Sequence, residues 1–129
     1  MIRDHELMEL LTNWESVYKR GLLTFWILLL LYDRPSFPYE INNEIEKLSR
    51  GTMSVDMNSI YRALRRFEDM KLVISEMRMS TSGPDRRYYK LTEKGEILLA
   101  NFINRNLLIF QDQSITDQFR NVLRGAGIG

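Results

Sequence analysis

Residues 56–91 place a helical pattern directly before two strand-like segments joined by a polar turn. From Met57 to Lys71 the apolar residues recur at helical spacing, and Asp56 before them is a suitable N-cap. Strand-like residues follow at 72–79 and at 86–91. The residues between them, 80–85, are polar and contain a Gly-Pro pair, which predicts an exposed turn. This order of elements restricts the fold more than any other feature of the chain.

The predicted helix 57–71 has two unlike sides. At about 100° per residue, one side collects the apolar residues Ile60, Ala63, Leu64, Phe67 and Met70. The opposite side carries Asn58, Arg62, Arg65 and Asp69, with Arg66 at its edge. The second strand alternates in the same way, with Arg87, Tyr89 and Leu91 on one face and Arg86, Tyr88 and Lys90 on the other.

Positive charge is concentrated in this stretch. The chain has 18 basic and 17 acidic side chains, a net charge of +1. Residues 57–91 carry eight basic and four acidic side chains, whereas residues 1–56 carry six and nine. A local basic surface on a nearly neutral protein is typical of a site that meets phosphate. A solvated charged face without a partner is the alternative interpretation.

The N-terminal residues 3–18 predict an amphipathic helix that Asp4 can cap. Its apolar stripe consists of Leu7, Leu10, Leu11, Trp14, Val17 and Tyr18. Such a face must be buried on its own domain or on a partner chain. His5 is expected to be solvated or to act in capping, since no second His or Cys supports a metal site.

A second predicted helix, residues 21–33, is apolar on nearly all faces and should be the centre of a small core. Its apolar run, residues 22–32, is shorter than the roughly 20 residues that a membrane span requires. Residues 33–38 predict a turn in which Ser36 can cap the next helix, 38–48. A polar connection, 49–55, then leads to the arginine-bearing helix.

Downstream, Thr92 can cap a helical region whose apolar residues are dense from Glu96 to Phe110. This stripe is wider than one small core needs. A second segment, 115–123, also has apolar residues at helical spacing, and the tail 125–129 is predicted to be frayed.

Composition argues against an enzyme. With 129 residues the chain suggests a single domain, and with no cysteine it has no disulfide, thiolate zinc site or cysteine nucleophile. There is one histidine and no Gly-rich loop to hold phosphate, so no cofactor or metal is expected. The absence of cysteine fits a reducing interior, so a cytoplasmic protein is expected. Nothing near the N-terminus resembles a signal peptide.

Three helices followed by a hairpin is the order of a winged helix-turn-helix, in which the hairpin is called the wing. We therefore predict a mainly α protein with a small β-hairpin wing (α+β), with added N- and C-terminal helices. Residues 1–18 would form the N-terminal helix, and residues 19–91 the winged helix-turn-helix DNA-binding domain. Residues 92–129 would form the C-terminal helices and tail.

Four motifs in this order resemble the PadR family of transcriptional regulators. They are Gly21-Leu22-Leu23 with Ile27-Leu28; Tyr39-Glu40-Ile41; Ile60 to Arg66 with Glu68 and Leu72-Val73; and Gly83-Pro84, Arg86 to Tyr89, Leu91-Thr92 and Gly95. The resemblance covers roughly residues 20–98. Two departures stand out. Asp56-Met57-Asn58-Ser59 replaces the family's Ser-Pro-Gly-Thr-like start, and Lys71 stands where glycine is usual, so the turn there should be strained or more basic.

The resemblance implies a homodimeric repressor that binds double-stranded DNA at a palindromic operator through the helix 57–71 and the wing. Arginine can bridge guanine O6 and N7, and asparagine can bridge adenine N6 and N7. The predicted DNA contacts are Asn58, Ser59, Tyr61, Arg62, Arg65, Arg66, Arg78, Ser80, Thr81, Ser82 and Arg86. Tyr61 can instead pack against the wing, and Arg87 and Tyr89 can be structural, with Arg87 pairing an acid on the body.

The resemblance also implies pairing of the C-terminal helix with a second chain, often together with the N-terminal helix. The added helices would then be dimerisation helices, with residues 1–18 as a dimer contact. The predicted dimer contacts are Leu7, Leu11, Trp14, Leu98, Phe102, Ile103, Ile109 and Phe110. Some family members respond to phenolic or hydrophobic cationic compounds at the dimer interface, so a small hydrophobic or aromatic effector is a further prediction. Its candidate pocket residues are Trp14, Trp26 and Phe102, for which core packing is the alternative.

A winged helix can also serve as a protein-interaction module without DNA binding, since fold alone does not decide function. Glu68 and Asp69 would then be contact residues.

Overall fold

The computed structural model describes residues 4–128, which form five helices, a short 3-10 helix and one hairpin. The elements in chain order are α1 (His5–Asp33), α2 (Pro38–Leu48), α3 (Met57–Asp69), β1 (Val73–Arg78), β2 (Arg86–Leu91), α4 (Glu93–Asn106), the 3-10 helix (Leu108–Gln111) and α5 (Gln113–Gly125). The chain has the winged-helix fold that its sequence predicts. Within the described residues, no helix is long and apolar enough to cross a membrane.

Helix α1 is one continuous helix of 29 residues, capped by the Asp4 carboxylate. The prediction of separate helices at 3–18 and 21–33 is therefore wrong, and residue 3 lies outside the described range. Gly21 does not end the helix, because one glycine costs only about 1 kcal/mol among residues with good helix propensity. We call residues 5–20 the arm. His5 is exposed at the first position of the helix, after the Asp4 cap.

The two halves of α1 lie in different surroundings. Ile27, Leu28, Leu30 and Leu31 in its C-terminal half are buried. They pack in a core with residues of α2, α3, the wing and α4, such as Ile41, Ile45, Ile60, Leu64, Phe67, Val73 and Leu99. The arm fully buries no residue of its apolar stripe on its own chain; Leu11 is half-buried, and Trp14 is 74% exposed.

Ser36 does not cap α2. The N-cap is Phe37, which makes no side-chain cap hydrogen bond, and Pro38 follows at the first helical position. Ser36 is fully buried. Its backbone N–H donates to the Tyr89 carbonyl at 3.1 Å, and its carbonyl accepts from the Tyr89 N–H at 2.8 Å. The residue thus ties the turn before α2 to the wing, a long-range contact that local capping rules do not reveal.

The C-terminal end of α3 is a closed turn that comes two residues before the predicted end. The Leu72 N–H donates to the Phe67 carbonyl at 2.9 Å, and the Lys71 N–H donates to the Glu68 carbonyl at 3.0 Å. This pattern requires a left-handed residue, usually glycine, at the position that Lys71 occupies. Lys71 has φ +62°, which confirms the predicted strain in this turn.

The hairpin pairs β1 and β2 antiparallel, from Val73 opposite Leu91 to Arg78 opposite Arg86. Strand β2 has the predicted bounds, and β1 is one residue shorter at each end than predicted. The predicted alternation of faces is confirmed at Tyr89, which is buried, whereas its neighbour Lys90 is exposed.

The C-terminal region contains two helices joined by the 3-10 helix. The predicted helical region from Glu96 to Phe110 is divided, since α4 ends at Asn106 and the 3-10 helix begins at Leu108. The Asn106 side-chain amide donates to the Phe102 carbonyl at this end. The predicted second helix is confirmed as α5, with Asp112 as its N-cap. Residues 126–128 form a hydrogen-bonded turn that ends α5 in place of the predicted frayed tail, and Gly129 lies outside the described residues.

The first turn of α4 lies directly on the end of α3. The Thr92 hydroxyl donates to the carbonyls of Lys71 (2.7 Å) and Leu72 (3.0 Å), and the Lys94 ammonium donates to the Met70 carbonyl (2.9 Å). A Cβ added at Gly95 would lie 2.3 Å from the Leu72 carbonyl oxygen. The contact between these two helices therefore depends on a glycine at this position.

Gly95→Ala should lower the free energy of unfolding by about 1–3 kcal/mol, because the backbone at Leu72 must move to admit a methyl group. Gly21→Ala is the matched control, since a Cβ there meets nothing within 4 Å. It should raise the free energy of unfolding by about 0.5–1 kcal/mol. Urea denaturation measures the free energy of unfolding of both variants. An equal change in the two would contradict the close contact between Gly95 and the Leu72 carbonyl.

Candidate nucleic-acid interface

The exposed side of α3 has the polar composition that its sequence predicts. Ile60, Leu64 and Phe67 are buried in the core, which turns the opposite side of the helix to solvent. Asn58, Tyr61, Arg62, Arg65 and Arg66 are exposed there. The pattern of burial along one amphipathic helix is enough to direct these side chains outward.

Capping organises the start of this surface. The Asp56 carboxylate accepts hydrogen bonds from the Ser59 N–H (2.9 Å) and from the Ser59 hydroxyl (3.0 Å). These two bonds, with a smaller contribution from the Arg62 cation, lower the pKa of Asp56 below its usual value. Arg62 in turn donates to the Ser59 hydroxyl oxygen at 3.2 Å. Ser59 thus links the cap of α3 to Arg62, a partnership that its sequence position did not indicate.

The wing presents two arginines at the pair of residues next to its loop. Arg78 lies opposite Arg86 in the hairpin, and its Nε donates to Glu76 Oε1 at 3.2 Å. The Arg78 guanidinium lies 4.1 Å from the centre of the Tyr88 ring, and that of Arg86 lies 4.4 Å from the centre of the Phe37 ring. Both side chains remain exposed.

Internal hydrogen bonds shape the loop of the wing. The Ser80 N–H donates to the Asp85 carboxylate at 3.2 Å, and the Ser82 N–H donates to the Ser80 hydroxyl oxygen at 3.3 Å. Ser80 is half-buried, whereas Thr81 and Ser82 are exposed. Of the three predicted loop contacts, Thr81 and Ser82 are therefore the more accessible.

A polar chain joins the inner face of the wing to α3. The Ser75 hydroxyl donates to Glu68 Oε2 at 2.6 Å, and Arg87 donates to the Ser75 hydroxyl oxygen at 3.0 Å. Arg87 thus meets an acid of the body through Ser75 instead of by the direct ion pair considered above. Tyr89 on the same face is buried, and burial raises the pKa of its hydroxyl.

A cleft of about 410 Å³ lies between the start of α2, α3 and the wing. Tyr61 of α3 lines this cleft together with Arg86, Arg87 and Tyr89 of the wing. Tyr61 is nevertheless 47% exposed. Phe37 and Tyr39 complete the wall on the α2 side. Sequence reasoning assigned no site role to Phe37 or Tyr39, because their nearness to the wing follows from the Ser36 pairing with Tyr89.

The predicted dimer contacts fall into two apolar surfaces. Leu7 and Trp14 are exposed on the arm, where Leu11 is half-buried. In the C-terminal region Leu98, Ile109 and Phe110 are exposed, and the Phe110 ring lies 6.1 Å from that of Phe119. Phe102 and Ile103 differ, since both are half-buried and Ile103 packs against the core of its own chain.

The three predicted pocket residues do not meet within one chain. Phe102 lies 6.0 Å from Phe25, and Phe25 lies 5.2 Å from Trp26, as measured between ring centres. Trp14 precedes Trp26 by twelve residues on α1, which separates them by about 18 Å. The Trp26 Nε1 is buried and has no hydrogen-bond partner in the described part of the chain. A cavity that contains all three remains a prediction that requires a second chain.

Residues 27–101, more than half of the chain, match the model of the transcriptional regulator PadR-like family. The chain belongs to this family. A PadR-like transcriptional regulator from Bacillus cereus is 28% identical, with a TM-score of 0.61, over 81% of this chain and 93% of its own. A transcriptional regulator from Clostridium thermocellum is 25% identical, with a TM-score of 0.63, over 71% of this chain and 89% of its own.

The fold is also that of Bacillus subtilis PadR, whose structure was solved in complex with operator DNA. This chain is 21% identical to it, with a TM-score of 0.61, over 66% of its own length and 48% of that protein. The chain thus spans about half the length of the B. subtilis regulator. At this identity the likeness concerns the fold.

Proposed function

We propose that this PadR-like regulator acts as a homodimeric repressor that binds a palindromic operator with α3 in the major groove. The observation that carries the proposal is the exposed side of α3. It presents Asn58, Arg62 and Arg65, residue types that read base edges, next to a wing that offers further arginines to phosphate. A protein with the same fold, B. subtilis PadR, was solved in complex with operator DNA, which supports DNA binding by this chain.

The charge of this surface favours DNA over a protein partner. Residues 57–91 carry a net charge of +4 in a chain whose net charge is +1. Of the acids in this region, Glu68 is engaged with Ser75 beneath the wing, so it is less available as a contact for another protein.

Two apolar surfaces support the proposed dimer. The arm and the C-terminal region expose Trp14, Val17, Ile109, Phe110, Phe119 and Val122 among other large apolar side chains. Exposed apolar surfaces are typical of interaction sites on a soluble protein. A second copy of the chain would bury them and would present α3 twice, as a two-fold symmetric operator requires.

The double variant Arg62→Ala, Arg65→Ala should bind operator DNA at least about 30-fold more weakly, since each base-reading arginine contributes roughly 1–3 kcal/mol. The operator is first obtained by selection of bound duplexes from a random pool, and it should be a palindrome whose half-site centres lie about 10 base pairs apart. Fluorescence anisotropy then measures the affinity across a salt series.

Arg105→Ala is the matched control for this experiment, because it removes an exposed arginine near the end of α4, about 15 Å along that helix from Gly95. It should leave the affinity within about twofold of wild type. Unchanged binding by the α3 double variant, with its circular dichroism intact, would contradict the proposed DNA contact.

Trp14→Glu should convert the dimer to a monomer or weaken it at least about tenfold, because it places a charge in the proposed apolar interface. Thr12→Glu adds the same charge about 160° around the arm from Trp14 and should leave the dimer intact. Light scattering coupled to gel filtration measures the mass of each variant. A wild-type protein that elutes as a monomer at micromolar concentration would refute the dimer.

A small aromatic effector is proposed to bind near Trp26 and relieve repression. The support is the buried Trp26 Nε1, which lacks an acceptor among residues 4–128 and lies beside the Phe25 ring, whose centre is in turn 6.0 Å from that of Phe102. A buried donor among aromatic side chains would orient the polar group of an aromatic ligand. Planar aromatic compounds should quench tryptophan fluorescence in a saturable manner, and no quenching across a broad panel would contradict the site.

A further inference from the structure

We propose that Phe37 and Tyr88 are positioning residues for DNA binding, whose rings hold the guanidinium groups of Arg86 and Arg78 ready to meet phosphate. The proposal rests on the proposed DNA-binding function. It concerns the outer face of the wing, opposite the face on which Ser75 meets Glu68. It assigns a role to Phe37, a residue outside the wing and outside α3.

The arrangement consists of two cations and two rings in a row. Arg78 lies over Tyr88 at 4.1 Å, and Arg86 lies over Phe37 at 4.4 Å. The Phe37 and Tyr88 rings meet edge to face, with 5.4 Å between their centres. Each cation therefore contacts its own ring, and the two rings support each other through a favourable aromatic geometry.

The two arginines form a directly opposite pair in the hairpin, and like charges in such a pair are unfavourable. Glu76 offsets part of the charge of Arg78, whose Nε lies 3.2 Å from Glu76 Oε1. Each guanidinium also lies over an aromatic ring, and this contact stabilises the cation further.

The position of Phe37 in the chain supports a role beyond helix capping. Phe37 is the N-cap of α2 and makes no side-chain cap hydrogen bond, although Ser, Thr, Asp or Asn is favoured there. The helix thus lacks a capping side chain at a position from which an aromatic ring contacts the wing. The Ser36 pairing with Tyr89 holds this ring beside β2, at backbone distances of 2.8 and 3.1 Å.

A phosphate partner fits the site better than a carboxylate of a protein. Arg78 and Arg86 flank the loop that carries the exposed Thr81 and Ser82, within the stretch 57–91 whose net charge is +4. A free arginine side chain loses much rotational freedom when it binds, and a ring that already orients it reduces this loss. The rings should therefore raise affinity for any DNA sequence, since the contacted group is the backbone.

Phe37→Leu and Tyr88→Leu should each weaken DNA binding about three- to tenfold, whereas Phe37→Tyr and Tyr88→Phe, which keep a ring, should retain wild-type affinity. The slope of affinity against salt should stay as in wild type for all four, because the charges remain. Anisotropy with one random-sequence duplex and with the selected operator measures these values. Thermal melts by circular dichroism accompany each variant.

The decisive comparison is a double-mutant cycle with Arg86→Ala. If Phe37 acts through Arg86, Phe37→Leu should weaken DNA binding in the wild-type background. In the Arg86→Ala background it should lower the affinity further by less than about twofold. An equal loss in both backgrounds, or no loss in either, would overturn the proposal. Should Phe37→Leu fail to fold, the cycle of Tyr88→Leu with Arg78→Ala gives the same test.

These results are separable from a failure of the proposed function. If wild-type protein binds neither duplex, DNA binding itself is refuted. If wild type binds and the α3 double variant does not, while the ring variants bind as wild type does, only the positioning role is refuted.

Discussion

The contact between the start of α4 and the end of α3 connects the two parts of this protein. Three consecutive carbonyls, those of residues 70–72, accept hydrogen bonds from Thr92 and Lys94. The helices can approach this closely because Gly95 has no side chain, and because Lys71 adopts a left-handed conformation that turns the chain back. The arginine-bearing helix is thereby held to the element that leads into the C-terminal apolar surface.

Much of the fold could be predicted from local patterns. The faces of α3, its Asp56 cap and the alternation along β2 follow from periods of 3.6 and 2 residues and from the chemistry of capping. The continuity of α1 was missed, because one glycine is a weak break when the residues around it favour a helix. The role of Ser36 was missed for another reason, since its partner Tyr89 lies 53 residues away along the chain.

The candidate site could also be predicted only in part. Which residue types face solvent on α3 could be predicted from the helical spacing of its apolar residues. Which side chains orient those residues could not, because Ser59 contacts Arg62 only through a particular rotamer, and Phe37 reaches Arg86 across 49 residues of sequence. The wing is supported on both faces, by a polar chain to α3 and by aromatic rings next to α2. Neither support has a signal that a single sequence displays.

The unbroken course of α1 has a mechanical consequence. A helix of 29 residues is about 44 Å long, and its C-terminal end lies about 28 Å beyond Trp14 of the arm. In the proposed dimer, a change of about 10° in the angle at which two arms cross near Trp14 would shift the C-terminal ends of the two α1 helices relative to each other by about 5 Å. That displacement is roughly one and a half base-pair steps of about 3.4 Å each along a DNA strand. The angle at which the arms cross would then determine the distance between the two α3 helices.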